Sequence, residues 1–264
     1  MRKRFFVQEF VSGSAFLRGE AAHHLSRVLR AEAGQLYELS DGERVWLART
    51  ERVGKSEVQF ALVERLPAPP APVRIELLLA IVKFDRFEWA LEKATELGAD
   101  RIVPLAAERS EKGLLTAAAK RSERWKRILA ESAQQARRLR IPELCTAAKP
   151  ADVFRAAAGT IRILLSEQAG AKPLRELLEP LASAPSKNSV AGVVIAIGPE
   201  GGWTEAEFNA AGAAGFAEAA LAANILRTET AVCAALAAVQ YAFGAFRPAD
   251  VDSCSNSTAL REKA

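Results

Sequence analysis

The chain has 264 residues, 50% apolar and 26% charged, with 36 basic side chains against 32 acidic ones and a net charge of +4. At roughly 150 residues per domain, this length gives one large or two modest domains with full cores, and the composition excludes wholesale disorder. Three scattered cysteines without a CxxC pair, and only two histidines (His23 and His24), exclude a disulfide framework, a zinc site and an HExxH metallopeptidase.

From the N-terminus, short segments rich in Val, Phe, Leu and Trp alternate with polar residues, and Asp41-Gly42 marks a hairpin turn. Residues 1–66 therefore read as a small, mainly β module, with one helix near Ala21 to Arg30 from the i, i+4 pairs His24/Val28 and Leu25/Leu29. Four prolines in residues 67–72 fix φ and remove backbone donors, which makes that stretch a linker.

Beyond the linker, strand and helix signals alternate. Val73 to Val82 is an apolar β-like run, followed by a helix from Asp85 to Leu97 with Gly98 as its C′ residue. Arg101 to Leu105 reads as a strand, and Leu114 to Leu139 as a long basic helix. Ile161 to Leu165 and Val190 to Ile197 are further buried strands. Thr204 and Glu207 form a capping box that opens a helix to Ala214. A short strand, Ala217 to Leu221, precedes an Ala-rich helix from Thr228 to Phe246. This alternation predicts a mainly parallel α/β sheet over residues 73–247, and the polar, aperiodic residues 248–264 read as a frayed tail. The apolar run Ala231 to Val239 is too short for a membrane span, and Phe5-Phe6-Val7 too short for a signal-peptide core, so the expected setting is a reducing cytoplasm.

Several motifs fail on inspection. Gly54-Lys55-Ser56 lacks the glycine a phosphate-binding loop needs five positions earlier, where Arg49 stands. No GxGxxG follows a strand and no GxSxG occurs. Four features survive. Gly198-Pro199-Glu200-Gly201-Gly202 leaves a buried strand and enters a capped helix, where glycines let a ligand approach the backbone. Leu226-Arg227-Thr228-Glu229-Thr230-Ala231 opens the last helix, with free N–H groups and an arginine fork for an anion. Lys120 to Arg140 holds eight basic and two acidic residues, a phosphate-contacting pattern ending in Arg137, Arg138 and Arg140. Arg2, Arg4 and Phe5, with His24, Arg27 and Arg30, interleave cations and rings as single-stranded RNA readers do. Residues 101–149 carry a net charge of +7 and the rest of the chain −3, so the mild average conceals a concentrated basic region.

The set Arg4-Phe5-Phe6, His24 to Arg30, Lys83 to Asp100, Gly198 to Gly202 and Ile225 to Ala231 resembles the RsmE family of small-subunit (16S) rRNA uracil-N3 methyltransferases, in the family's order and over nearly the whole chain. The resemblance implies an α/β SPOUT methyltransferase domain with a deep C-terminal trefoil knot, preceded by a PUA-like β-barrel. It implies S-adenosyl-L-methionine as cofactor, held by Leu165, Ser166, Glu167, Ile197, Gly198, Pro199, Gly201, Gly202, Leu221, Ile225, Leu226 and Thr228. It also implies a homodimer, no metal, and a specific uridine of the assembled 30S subunit as substrate. Where the family usually has Gly-Pro-Arg before the last loop, this chain has Ala222-Ala223-Asn224. Methylating uracil N3 needs an exposed base and loss of a proton. Arg227 and Lys83 are the candidates to stabilise the developing enolate-like charge, and Glu200 or Glu229 to assist proton removal. The alternatives are a SPOUT ribose 2′-O-methyltransferase, whose SLNVS-like loop is replaced here by RTETA, and a non-catalytic RNA-binding ribosome-assembly factor.

Overall fold

Residues 3–67, 73–183 and 192–243 are described by the computed structural model. Arg2, the linker beyond Pro67 and the tail lie outside the described residues. In the N-terminal module, β1 (Arg4–Phe6), β2 (Phe10–Val11), β3 (Ser14–Arg18), β4 (Leu36–Ser40), β5 (Val45–Val53) and β6 (Glu57–Leu66) form one six-stranded sheet in the order β1-β4-β5-β6-β3-β2. Only the β1–β4 pair is parallel. Asp41-Gly42 makes the β4–β5 turn as predicted: Gly42 takes φ +90°, and Asp41 Oδ1 accepts from the N–H groups of Glu43 and Arg44. The predicted helix is a short α1 (Gly19–His23) running into a π-helical turn, His24–Val28, which drops Leu25 into the module's core beside Phe5, Leu39 and Phe60.

The second part runs β7 (Arg74–Ala80), α2 (Phe84–Glu96), β8 (Arg101–Leu105), α3 (Lys112–Ala118), α4 (Ser122–Gln135), β9 (Glu143–Leu144), α5 (Pro150–Ala156), β10 (Ile161–Leu165), β11 (Lys172–Pro173), α6 (Leu174–Ser183), β12 (Gly192–Ile197), α7 (Glu205–Ala213), β13 (Ala217–Ala220) and α8 (Thr228–Phe243). All seven strands pair in parallel, in the order β11-β13-β10-β12-β7-β8-β9. The central strands are apolar on both faces because helices cover both. Leu77, Leu79, Val193, Ile195 and Ile163 face α2, α4 and α8, whereas Leu78, Ala80, Val194, Ala196 and Leu164 face α5 and α7. The buried stripe of α2 has helical spacing, with Phe87, Ala90, Leu91, Ala94 and Thr95, and Gly98 ends that segment at φ +96°.

The long basic helix expected over Leu114 to Leu139 is broken. A 3₁₀ turn, Ala119–Arg121, separates α3 from α4 and re-aims the latter so that Trp125 and Leu129 bury against α2, the Trp125 ring lying 4.6 Å from that of Phe87. Arg137 then takes φ +51°, and residues 137–140 leave the helix to run along the N-terminal module.

That route overturns part of the expected RNA surface. Arg4 and Phe5 are buried, at 4% and 2% exposure. The Arg4 guanidinium donates to Glu38 Oε2 at 2.8 Å and to the carbonyl oxygens of Arg137 and Arg138. Ser40 Oγ donates to the Leu139 carbonyl at 2.7 Å, Arg140 donates to the Gly42 carbonyl, and Arg137 pairs with Glu38 at 3.4 Å. Arg138 turns inward and donates to the carbonyls of Thr95, Gly98 and Ala99 and to Asp100. These residues join the two parts of the chain, because each backbone carbonyl buried at the junction needs a donor. In the rest of the basic stretch, Arg121 and Arg124 pair with Glu88 and Lys126 with Glu123, leaving Lys120 and Arg127 without an ion-pair partner among the described residues. His24, Arg27 and Arg30 are exposed, as an RNA-facing role requires.

Candidate active site

The carboxyl ends of β10, β12 and β13 meet beside the N-terminus of α8, where ligands bind in open parallel sheets. A cleft of about 600 Å³ lies there, within the usual range for a small-molecule site. Leu165, Ser166 and Glu167 follow β10; Ile197, Gly198, Pro199 and Gly202 follow β12; Leu221, Ile225, Leu226 and Thr228 follow β13, and all of them line the cleft. Of the expected cofactor residues only Gly201 is not in the lining; its carbonyl instead accepts from Arg109 Nη1 at 2.9 Å.

Each loop is held by contacts that follow from its sequence. The Gly202 N–H donates to the Pro199 carbonyl at 2.8 Å, closing a tight turn with Gly202 at φ +72°. Trp203 folds under the loop and its Nε1 donates to the Leu165 carbonyl at 2.9 Å. A Cβ on Gly198 would stand 3.0 Å from the Trp203 ring, so any larger residue there would push loop and indole apart by a few tenths of an ångström. The predicted capping box is present: Thr204 Oγ1 accepts from the Glu207 N–H, and Glu207 Oε2 accepts from the Thr204 N–H at 2.8 Å. Glu207 Oε1 also accepts from the Glu108 N–H at 2.9 Å, tying the segment after β8 to the same helix. Thr228 Oγ1 donates to the Gly198 carbonyl at 3.1 Å and locks the two cofactor-side loops together.

The charged residues divide unevenly. Arg227 lines the cleft and is exposed, with no ion pair among the described residues. Lys83 occupies the N-cap position of α2 without a side-chain capping hydrogen bond, is exposed and lies outside the cleft lining. Glu200 lines the cleft, and Glu229 stands in the first turn of α8. Both carboxylates contact Arg86, which the sequence reading did not single out although it lies in the same stretch as Lys83. Arg109, Gln168, Trp203 and Phe208 are also lining residues that it missed. The three-residue step from Lys83 to Arg86, nearly one helical turn, was the available signal. Among the described residues no group of three His, Cys, Asp or Glu is placed to hold a metal ion, and no helix is long and apolar enough to cross a membrane.

This fold and cleft agree with the comparisons. A model described as RNA methyltransferase domain matches residues 69–240, which sets the class. The ribosomal RNA small subunit methyltransferase E of Synechocystis is 31% identical over 88% of this chain and 74% of the relative; that of Bacillus subtilis is 28% identical over 90% and 96%. The crystal structure of a ribosomal RNA small subunit methyltransferase E from Neisseria gonorrhoeae bound to S-adenosyl methionine superposes with a TM-score of 0.77, at 28% identity over 91% of this chain and 98% of that one. The chain belongs to the ribosomal RNA small subunit methyltransferase E family.

Proposed function

We propose that this chain transfers a methyl group from S-adenosyl-L-methionine to N3 of a specific uridine in small-subunit rRNA, on the assembled 30S particle. The observation that carries the proposal is the meeting of the Gly198–Gly202 and Leu226–Ala231 loops in one cleft at the strand ends, with Arg227 open to it. The relatives' names and the cofactor-bound neighbour support the same reading.

The lining fits the cofactor. Ile197, Leu221, Ile225 and Leu226 offer an apolar bed for an adenine ring, and the carbonyls after β10 and the Glu167 carboxylate offer acceptors for hydroxyl and amine donors. Ile225 is 80% exposed, an apolar side chain that a bound ring would cover. When bound, the cofactor supplies an electrophilic methyl group on a sulfonium. Arg227 stabilises the negative charge that grows on the uracil oxygens as N3 loses its proton. Glu200 or Glu229 accepts that proton, and the loops hold the reactants in line for the displacement.

The finer architecture we infer is that of the SPOUT class, a deep trefoil knot near the C-terminus behind a PUA-like barrel. The six-stranded module and the crossed order β13-β10-β12-β7 support that assignment. We further propose a homodimer, working in the cytoplasm without a metal ion, with His24, Arg27 and Arg30 facing RNA. Calorimetric titration of the purified chain with S-adenosylmethionine tests the cleft assignment. Saturable binding that Gly198→Val abolishes supports it, and an absence of binding by the unaltered chain contradicts it.

A further inference from the structure

Arg86, in the first turn of α2, lies between two carboxylates that reach it from different loops. Its Nη1 is in direct contact with Glu200 Oε1, and its Nε is 3.8 Å from Glu229 Oε1. The two acids differ in setting. The Glu200 side chain is 48% exposed and faces the cleft, whereas that of Glu229 is 14% exposed and its Oε2 is buried without a hydrogen-bond partner among the described residues. A first-turn acid gains from the helix dipole while exposed, so the dipole alone does not account for burying Glu229 against Arg86. A half-satisfied buried carboxylate disfavours folding, and neutral residues of the same size would relieve that penalty.

Charge accounting points to a use. One guanidinium and two carboxylates carry a net −1, and one of the two acids is open to the cleft. We propose that Glu229 anchors Arg86, and that Arg86 in turn holds the Glu200 carboxylate in position to take the N3 proton of the target uracil. Arg86 and Glu229 are positioning residues and Glu200 is the acceptor. The inference rests on the uracil-N3 reading given above. In the step, the N3–H bond breaks, the proton passes to a Glu200 oxygen and the electron pair stays on nitrogen. The trio becomes neutral as the uracil becomes anionic, so the single negative charge moves from Glu200 to the base, within reach of the cleft-lining Arg227. Arg86 stays paired with Glu229 throughout and needs no new partner when Glu200 is neutralised.

The test compares the unaltered chain with Arg86→Gln, Glu229→Gln and the double variant. It uses small subunits from cells lacking this protein and methyl-labelled S-adenosylmethionine, with kcat, cofactor Kd and Tm measured for each. Each single variant should keep cofactor Kd within about threefold while kcat falls about 10²-fold, the loss expected for a misplaced catalytic group. The double variant should be no slower than the worse single variant, because both break one relay. Near-normal kcat in either folded single variant overturns the inference, as does a loss confined to cofactor Kd, which would make Arg86 only a brace for the loops. Multiplying losses in the double variant overturn it as well. If Arg86→Gln does not fold, the isosteric Glu229→Gln decides alone. An unaltered chain that labels uracil N3 beside unimpaired variants sinks this relay only; an unaltered chain that labels no uracil sinks the parent reading and the relay together.

Discussion

Arg138 Nη2 donates to Asp100 Oδ1 at 2.9 Å, while the other oxygen of Asp100 accepts from the Ile75 N–H at 3.0 Å. A cation read from sequence as an RNA contact is thus wired to the start of β7. Burial opposes its charge and pushes the Arg138 guanidinium down from its ordinary range, with Asp100 pulling the other way. Removing one partner of such a pair strands the other. Arg138→Ala should therefore lower unfolding stability by about 3 kcal/mol, read from urea denaturation followed by circular dichroism. A change in RNA affinity without a change in stability would contradict this placement.

The exposed cations of the N-terminal module should behave in the opposite way. Arg27→Ala and Arg30→Ala should each leave Tm unchanged and reduce the slope of log affinity for rRNA against log salt by about one, as loss of a single phosphate contact does. The measurement is a salt series of filter-binding titrations with small-subunit rRNA. Unaltered slopes in both variants would remove this face from the RNA site.

Glu88 carries an acid-limb prediction. Its hydrogen bond from Arg124 leads the effects on its carboxyl and, with that from Arg121, outweighs burial and holds the carboxyl below the usual carboxylate range. A group whose folded pKa is depressed adds stability above its unfolded pKa, and that stability disappears as pH falls through the folded value. The unaltered chain should therefore lose more stability than Glu88→Gln as pH falls below about 4.3, the ordinary glutamate value. Parallel stability curves for the two proteins over that range would contradict the assignment.

Arg227 and Lys83 separate cleanly. Arg227→Ala should bind S-adenosylmethionine normally and lose about 10²–10³ in turnover, the loss typical of one electrostatic donor at the reacting group. Lys83→Ala, changed outside the cleft, should retain turnover within about threefold. Steady-state methylation of small subunits by both variants checks the pair, and the reverse ranking would return Lys83 to the site.

Periodicity made the α/β part legible. Arg101 to Leu105 and Ile161 to Leu165 have the predicted bounds because a strand buried on both faces is a nearly continuous apolar run between turn signals, interrupted here only by the half-buried Arg101 and Arg162. The Thr204 capping box and the left-handed Gly98 were readable for an equally local reason. Side-chain direction was not readable. Arg137, Arg138 and Arg140 form a basic string in sequence, yet the left-handed Arg137 turns the chain towards β1 and β4, where Arg137 pairs with Glu38 and Arg140 donates to the Gly42 carbonyl, while Arg138 turns back onto Asp100 and the carbonyls of Thr95, Gly98 and Ala99. The break at Ala119–Arg121 depends on where α2 lies, a tertiary demand that overrides helix propensity. Arg86 escaped notice because a charge on the first turn of an amphipathic helix is ordinarily a solvated one. Only the approach of the Glu200 loop and α8 gives it partners.

The central claim is the identity of the methylated atom. Small ribosomal subunits from cells lacking this protein, incubated with the purified chain and methyl-labelled S-adenosylmethionine, can be digested and the modified nucleoside mapped. The account predicts label at N3 of one uridine of the small-subunit rRNA; label on a ribose 2′-oxygen, or on no RNA at all, would contradict it.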